Sequence, residues 1–171
     1  DPWCSDASHT NCTLTYPVTE VWVDDDWAGS SEGDDVGGHV FGYDAFATIA
    51  DGIDAVGDST VNVAPGTYTP AAKITIDKVG LLLIGPQAGV DPRPSAGTTR
   101  LPGDPSTEAI LDGGGMSTIL YIDADDVVIE GLEIRNGAGD LVTSPSSTTQ
   151  YRPVVRYNII HDSSGDEGIQ L

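Results

Sequence analysis

Three groups of acidic side chains offer the chemistry most easily read from this sequence. They are Asp24-Asp25-Asp26, Asp123 with Asp125 and Asp126, and Asp162 with Asp166 and Glu167. Closely spaced carboxylates suit calcium, a hard cation that takes six to eight oxygen ligands. Consecutive residues on a strand point to opposite faces, however, so a run of Asp does not by itself make a site. Each group has a plainer reading as a solvated turn. Arg135 and Arg156 fall in predicted strands near acids such as Glu133, where surface ion pairs are the simpler reading. The histidines His9, His39 and His161 form no Ser/His/Asp spacing, and His161 is predicted to sit at a turn. Gly113-Gly114-Gly115 lacks the Lys and the following helix of a phosphate loop. Trp3, Trp22 and Trp27 lie close in sequence and are either a sugar-stacking surface or packing for a cap. No catalytic residue is nominated.

Three further features point outside the cell. Cys4 and Cys12 are the only cysteines, and a disulfide between them is the favoured reading. Free thiols, or two ligands of an incomplete metal site with His9, are the alternatives. Asn11-Cys12-Thr13 fits the N-glycosylation acceptor pattern at Asn11. The first residue is Asp1, which is read as the trace of a removed leader.

Composition narrows the class. The 171 residues carry 27 acids and 7 bases, a formal net charge of −20. Such a surface repels phosphate backbones and anionic lipid, so neither nucleic acid nor an anionic membrane surface is an expected partner. It reads as salt adaptation, as calcium sites or as plain solubility. No apolar run is long enough to span a bilayer. Apolar residues make up 39%, and 21 Gly with 11 Pro against 2 Phe and 1 Met suit short strands joined by turns.

The elements that must carry these groups follow from periodicity. Residues 1–17 read as a disulfide-pinned tail, 18–23 as a strand and 28–42 as a loop. Phe46, Ile49, Ala50, Ile53 and Val56 fall on one face of a helix of about three turns, with Asp44 as N-cap and Gly57 as the residue after its end. Short strands are predicted at 60–64, 73–76, 81–84, 109–111, 119–122, 127–129, 132–134 and 154–160. Residues 87–107, with their prolines, and 138–150, rich in Ser and Thr, read as excursions. A chain that turns a corner every few residues fits a solenoid better than hairpins.

Val21-Trp22-Val23-Asp24-Asp25-Asp26, Phe46-Ala47-Thr48-Ile49-Ala50-Asp51-Gly52-Ile53-Asp54-Ala55 and Val61-Asn62-Val63-Ala64-Pro65-Gly66-Thr67-Tyr68 together resemble the opening of secreted, pectate-lyase-like right-handed parallel β-helix proteins. Ile110 to Gly115, Val127 to Asn136 and Val155 to Asp162 resemble successive rungs. The resemblance implies an all-β solenoid over 18–171, with a cap at 18–57 that includes one helix, three to four coils, and corner asparagines (Asn136, Asn158) that bond their counterparts in the next coil. It implies no activity, because the scaffold carries many.

The sequence stops at Ile169-Gln170-Leu171, in what reads as the start of a strand, so this edge is expected to be uncapped and open to assembly. The functional expectation is an extracellular structural protein that forms a homo-polymer or joins another cell-surface protein in a layer, sheath or filament. An N-terminal fragment of a polysaccharide lyase or glycoside hydrolase, and a carbohydrate-binding adhesin, are the alternatives. Structural calcium is the one cofactor weighed.

Overall fold

The computed structural model of the chain describes residues 18–145, 152–165 and 167–171. It is mostly β, with parallel sheets and, among the described residues, a single α-helix. In chain order the elements begin with β1 (Val18–Val23), a 3-10 helix (Asp25–Trp27), β2 (Asp35–Val36), β3 (His39–Val40), β4 (Ala45–Phe46) and α1 (Ile49–Ala55). Twelve short strands follow. These are β5 (Val56–Val63), β6 (Gly66–Tyr68), β7 (Ile74–Ile76), β8 (Leu82–Ile84), β9 (Ala109–Asp112), β10 (Leu120–Ile122), β11 (Val128–Glu130), β12 (Leu132–Gly137), β13 (Val142–Thr143), β14 (Val154–Arg156), β15 (Ile159–Ser163) and β16 (Ile169–Gln170).

From β5 onward each strand pairs in parallel with the strand three positions later. The first sheet runs β4-β1-β5-β8-β11-β14, the second β7-β10-β13-β16 and the third β6-β9-β12-β15. The chain therefore visits the first, third and second sheets in turn, and four such windings are stacked: β5–β7, β8–β10, β11–β13 and β14–β16. Register then aligns like with like. Val21, Val61, Leu83, Ile129 and Val155 stand opposite one another along the first sheet. Tyr68, Leu111, Ile134 and Ile160 do so in the third sheet, and Ile74, Leu120, Val142 and Ile169 in the second. Most of these side chains are buried and form one core. Aliphatic residues on consecutive windings thus bury one another, which is why strands of two to four residues are stable here.

One side of the first winding is closed. Ile49 and Ile53 of α1 pack into the core, and Gly52 presses the helix against β1 and β5. A Cβ at Gly52 would stand 2.7 Å from Val23 Cγ2. The helix is shorter than its sequence stripe predicts. Thr48 is the N-cap, its hydroxyl accepting from the Asp51 N–H, and Val56 leaves the helix directly into β5. Asp44 instead accepts from the Val40 N–H at 2.7 Å and faces His39, and Phe46 belongs to β4. Those seven helical residues stop where pairing with β1 begins, so sheet formation overrides the helical period. Residues 28–42 include the antiparallel pair β2–β3. The predicted strand 154–160 is two strands, β14 and β15, separated at Tyr157, whose φ is 53°.

Residues 85–108 leave the stack between β8 and β9 as a strap across the outer side of the third sheet. Beneath it Ile110 and Glu133, which face away from the core, are nevertheless buried. The excursion at 138–150 is shorter than predicted, because Val142–Thr143 returns as β13.

Candidate functional site

One cluster of ionisable groups of both signs lies on the outer side of the third sheet. Asp112 on β9, Arg135 on β12 and His161 on β15 are consecutive in register. Strand alternation places Glu133, two residues before Arg135, on the same side. Glu133 is fully buried and accepts from three donors. Its Oε2 takes the Gly103 N–H of the strap at 2.7 Å, while its Oε1 lies 3.1 Å from both Arg135 Nη1 and His161 Nε2. Arg135 Nε also reaches Asp112 Oδ2 at 3.2 Å. His161 Nδ1 faces Asp162 Oδ2 at 2.9 Å. A buried carboxylate is tolerated only with such partners.

Asp112 completes the cluster. Burial works to raise its pKa, but hydrogen bonds from Asn136, from the Gly114 N–H and from Arg135 outweigh it and hold the carboxyl below its ordinary value. Asn136 (φ 61°) and Asp162 (φ 54°) occupy the same left-handed corner on consecutive windings, between the register pairs Arg135–His161 and Gly137–Ser163. Asn136 does not stack on Asn158. Asn158 sits at the opposite end of the sheet, accepting from the Leu132 N–H at 2.9 Å and donating to Ile129 O at 2.8 Å. The cluster is a set of ties between windings: β9 to β12 through Asp112, β12 to β15 through Glu133.

Sequence reasoning anticipated ion pairs for Arg135 and Arg156, and both are present, Arg156 with Glu130 at 2.7 Å. It missed the burial of Glu133, which depends on a strap that reads as a loop. His161 lies within β15 rather than at a turn.

The first acidic triplet is gathered. Oxygens of Asp24, Asp25 and Asp26 lie within 4.8 Å of one another, the single carboxylate group of this kind among the described residues. The 3-10 helix positions them. Asp24 caps it, Oδ1 accepting from the Asp26 N–H at 3.0 Å, and Asp25 Oδ2 accepts from the Thr67 N–H at 3.2 Å. Gly66 admits this contact, since a Cβ there would collide with Asp25 Oδ1. Burial pushes the Asp24 carboxyl above its ordinary value, and the charges of Asp26 and Asp25 add to the effect against the Asp26 N–H. Burial likewise raises the Tyr68 hydroxyl, reinforced by Asp25 and Asp24. Three carboxylates supply part of a calcium shell.

The other acidic groups are dispersed. Asp126 pairs with Arg152 at 2.8 Å, and Asp125 Oδ1 is buried without a hydrogen-bonding partner. Among the described residues no group of three metal-ligating side chains includes Asp123 or Asp125. Asp162 faces His161, and Asp166 lies outside the described residues, as do Cys4, Cys12, Asn11, Trp3 and His9. Trp22 stacks on His39 with ring centroids 4.1 Å apart, and Trp27 is tilted to the same ring at 6.3 Å. At the other side of the stack Ile169 and Gln170 form β16, paired with β13, and Ile169, Gln170 and Leu171 are exposed.

A groove of about 530 Å³ lies between α1 and residues 67–74, lined mainly by Ala47, Ala50, Pro70, Ala71 and Ala72. No helix among the described residues is long and apolar enough to cross a membrane. Comparison with family models, with curated proteins and with solved structures finds no match.

Proposed function

We propose that the chain is a right-handed parallel β-helix that serves as a structural module at the cell surface, outside the cell, and assembles with further copies. The observation that carries the reading is the commitment of the lateral ionisable groups to one another across windings. The bonds from Arg135 to Asp112 and from His161 to Glu133 run from winding to winding, and the Arg135–Glu133 bond within β12 joins the two. Such groups hold a rod together; a polysaccharide-cleaving site needs them turned to substrate. In this reading the copies meet by β-addition, strand to strand at an edge of the sheets. A structural calcium ion at Asp24–Asp26 belongs to the same reading, supported by the convergence of the three carboxylates.

The test is made on the purified 171-residue chain. Ordered rods or sheets in negative-stain images, with antibody labelling on the surface of producing cells, are the expected result. An isolated particle that releases reducing ends or unsaturated products from an acidic polysaccharide overturns it and brings the enzyme reading forward. For calcium, the expected result is a rise in Tm with millimolar calcium that is lost in Asp25→Asn.

A further inference from the structure

Among the described residues Arg100 is the one basic side chain fully withdrawn from solvent, and it stands in the strap rather than in the stack. A guanidinium has five N–H donors in a rigid fork. All five are engaged. Nε and Nη2 grip Glu108 Oε1 and Oε2 at 3.0 and 2.6 Å, and Nη2 also reaches Leu132 O at 3.3 Å. Nη1 donates to Tyr157 O at 2.5 Å and to Val90 O at 3.5 Å. Glu108 is itself fully buried, and its backbone carbonyl accepts from the Gly66 N–H at 2.9 Å.

These partners come from every winding. Gly66 opens β6 in the first, Glu108 precedes β9 in the second, Leu132 opens β12 in the third, and Tyr157 joins β14 to β15 in the fourth. Strand pairs in this fold link only neighbouring windings, and in such a stack an edge repeat opens with little regard to distant ones. The strap breaks that rule. Separating β14–β15 from β11–β12 takes Tyr157 O from a buried cation, and lifting the strap strands Glu108 without its counter-charge, which is strongly unfavourable in a dry site.

We infer that the strap is a clasp that couples the windings: through Arg100 and Glu108 the second, third and fourth open together instead of peeling singly from the edge. The inference stands whether or not the chain is a surface module, because it concerns only how the stack opens.

Native-state hydrogen exchange on the full chain tests it, read amide by amide over sub-denaturing urea. In the wild type, amides of β9, β12 and β15 are expected to converge on one opening isotherm. Arg100→Met combined with Glu108→Leu removes both charges and leaves neither stranded, so the protein remains foldable. In that variant β15 exchange is expected to accelerate at least tenfold, with less than threefold change in β5. Two results overturn the clasp. One is a wild-type β15 that already opens on its own isotherm. The other is a double variant in which β15 is unchanged or all windings accelerate equally. The wild-type isotherms need no variant, so the inference stays testable if the substituted chain fails to fold.

Discussion

Gly131 tests the geometry of the stack more sharply than any core residue. It joins β11 to β12 with φ 77°, a conformation that costs an L-residue about 1–2 kcal/mol. A Cβ there would stand 2.6 Å from Gln87 C and 2.7 Å from Ala88 Cα, and closer still to Ala88 N. These are backbone atoms of the strap, so the contact cannot be relieved by a rotamer change. The strap must retreat, weakening the 3.3 Å hydrogen bond from the Gln87 N–H to Gly131 O, worth about 1 kcal/mol, and adding overpacking strain of ~1–3 kcal/mol. Gly131→Ala is therefore expected to destabilise by about 3–6 kcal/mol. The fold supplies its own control one winding on. Register pairs Glu130 with Arg156, so Tyr157 holds the equivalent corner with φ 53°. Tyr157→Gly relieves the left-handed strain but returns backbone entropy to the unfolded chain and loses a half-exposed ring, and it should stay within about 1 kcal/mol of wild type. Urea unfolding followed by tryptophan fluorescence measures both through the midpoint and slope. A Gly131→Ala chain within 1 kcal/mol of wild type would refute the placement of the strap against this corner.

Leu111→Ala, in the ladder between Tyr68 and Ile134, should cost ~2–5 kcal/mol in the same assay, and a loss below 1 kcal/mol would mean the ladder is not close-packed. Asp112, with its folded pKa depressed, contributes stability that is present above its unfolded value near ~3.9 and is lost as pH falls through the folded value. Unfolding free energy measured from pH 5 downward should therefore drop in wild type and drop less in Asp112→Asn. Asp24 has the opposite sign: its raised pKa works against the charged, folded form as pH rises, so Asp24→Asn, which keeps the cap acceptor, should raise Tm slightly at pH 7 in calcium-free buffer. With a net charge of −20, raising monovalent salt from 0.01 to 1 M shortens screening from about 30 to about 3 Å. Stability should rise by about 1 kcal/mol, or ~2–4 °C in Tm, and a fall would point to stabilising pairs outweighing the general repulsion.

The parallel, turn-rich architecture was legible because its signals are local: short aliphatic runs, Pro65-Gly66, Gly85-Pro86 and Asn136-Gly137 breaks, and one amphipathic stripe. The three-residue strands β7, β8, β10 and β11 fall on predicted aliphatic runs, but β6 and β13 were not foreseen. β6 and β13 carry too little periodicity to be told from loop, and they are strands because a longer neighbour offers its edge. The helix ends were misplaced for the same reason, since pairing of Val56 with Val18 competes directly with another helical turn. At the candidate site the types of Arg135 and Glu133 were visible, but their burial was not. That depends on residues 85–108 folding back over β9 and β12, a contact between segments some thirty residues apart that no local pattern encodes. The acidic triplet converged because the 3-10 helix bends the chain immediately after β1, turning consecutive carboxylates toward one another where a strand would have alternated them.

The distribution of the few basic residues gives the composition a structural meaning. Arg100, Arg135, Arg152 and Arg156 each bind an acid or carbonyl on another winding, and the Lys73 ammonium lies over the Tyr121 ring at 3.9 Å, joining the first winding to the second. Lys78 and Arg93 pair locally with Asp77 and Asp91. Five of the seven bases are thus ties between windings, and Arg135 and Arg156 stand in register directly beside an acid of the neighbouring winding. A parallel stack repeats its side chains at the strand spacing, so an all-acidic face would repel itself at every rung. Bases in register with acids replace that repulsion by attraction at two rungs, Arg135 beside Asp112 and Arg156 beside Glu130.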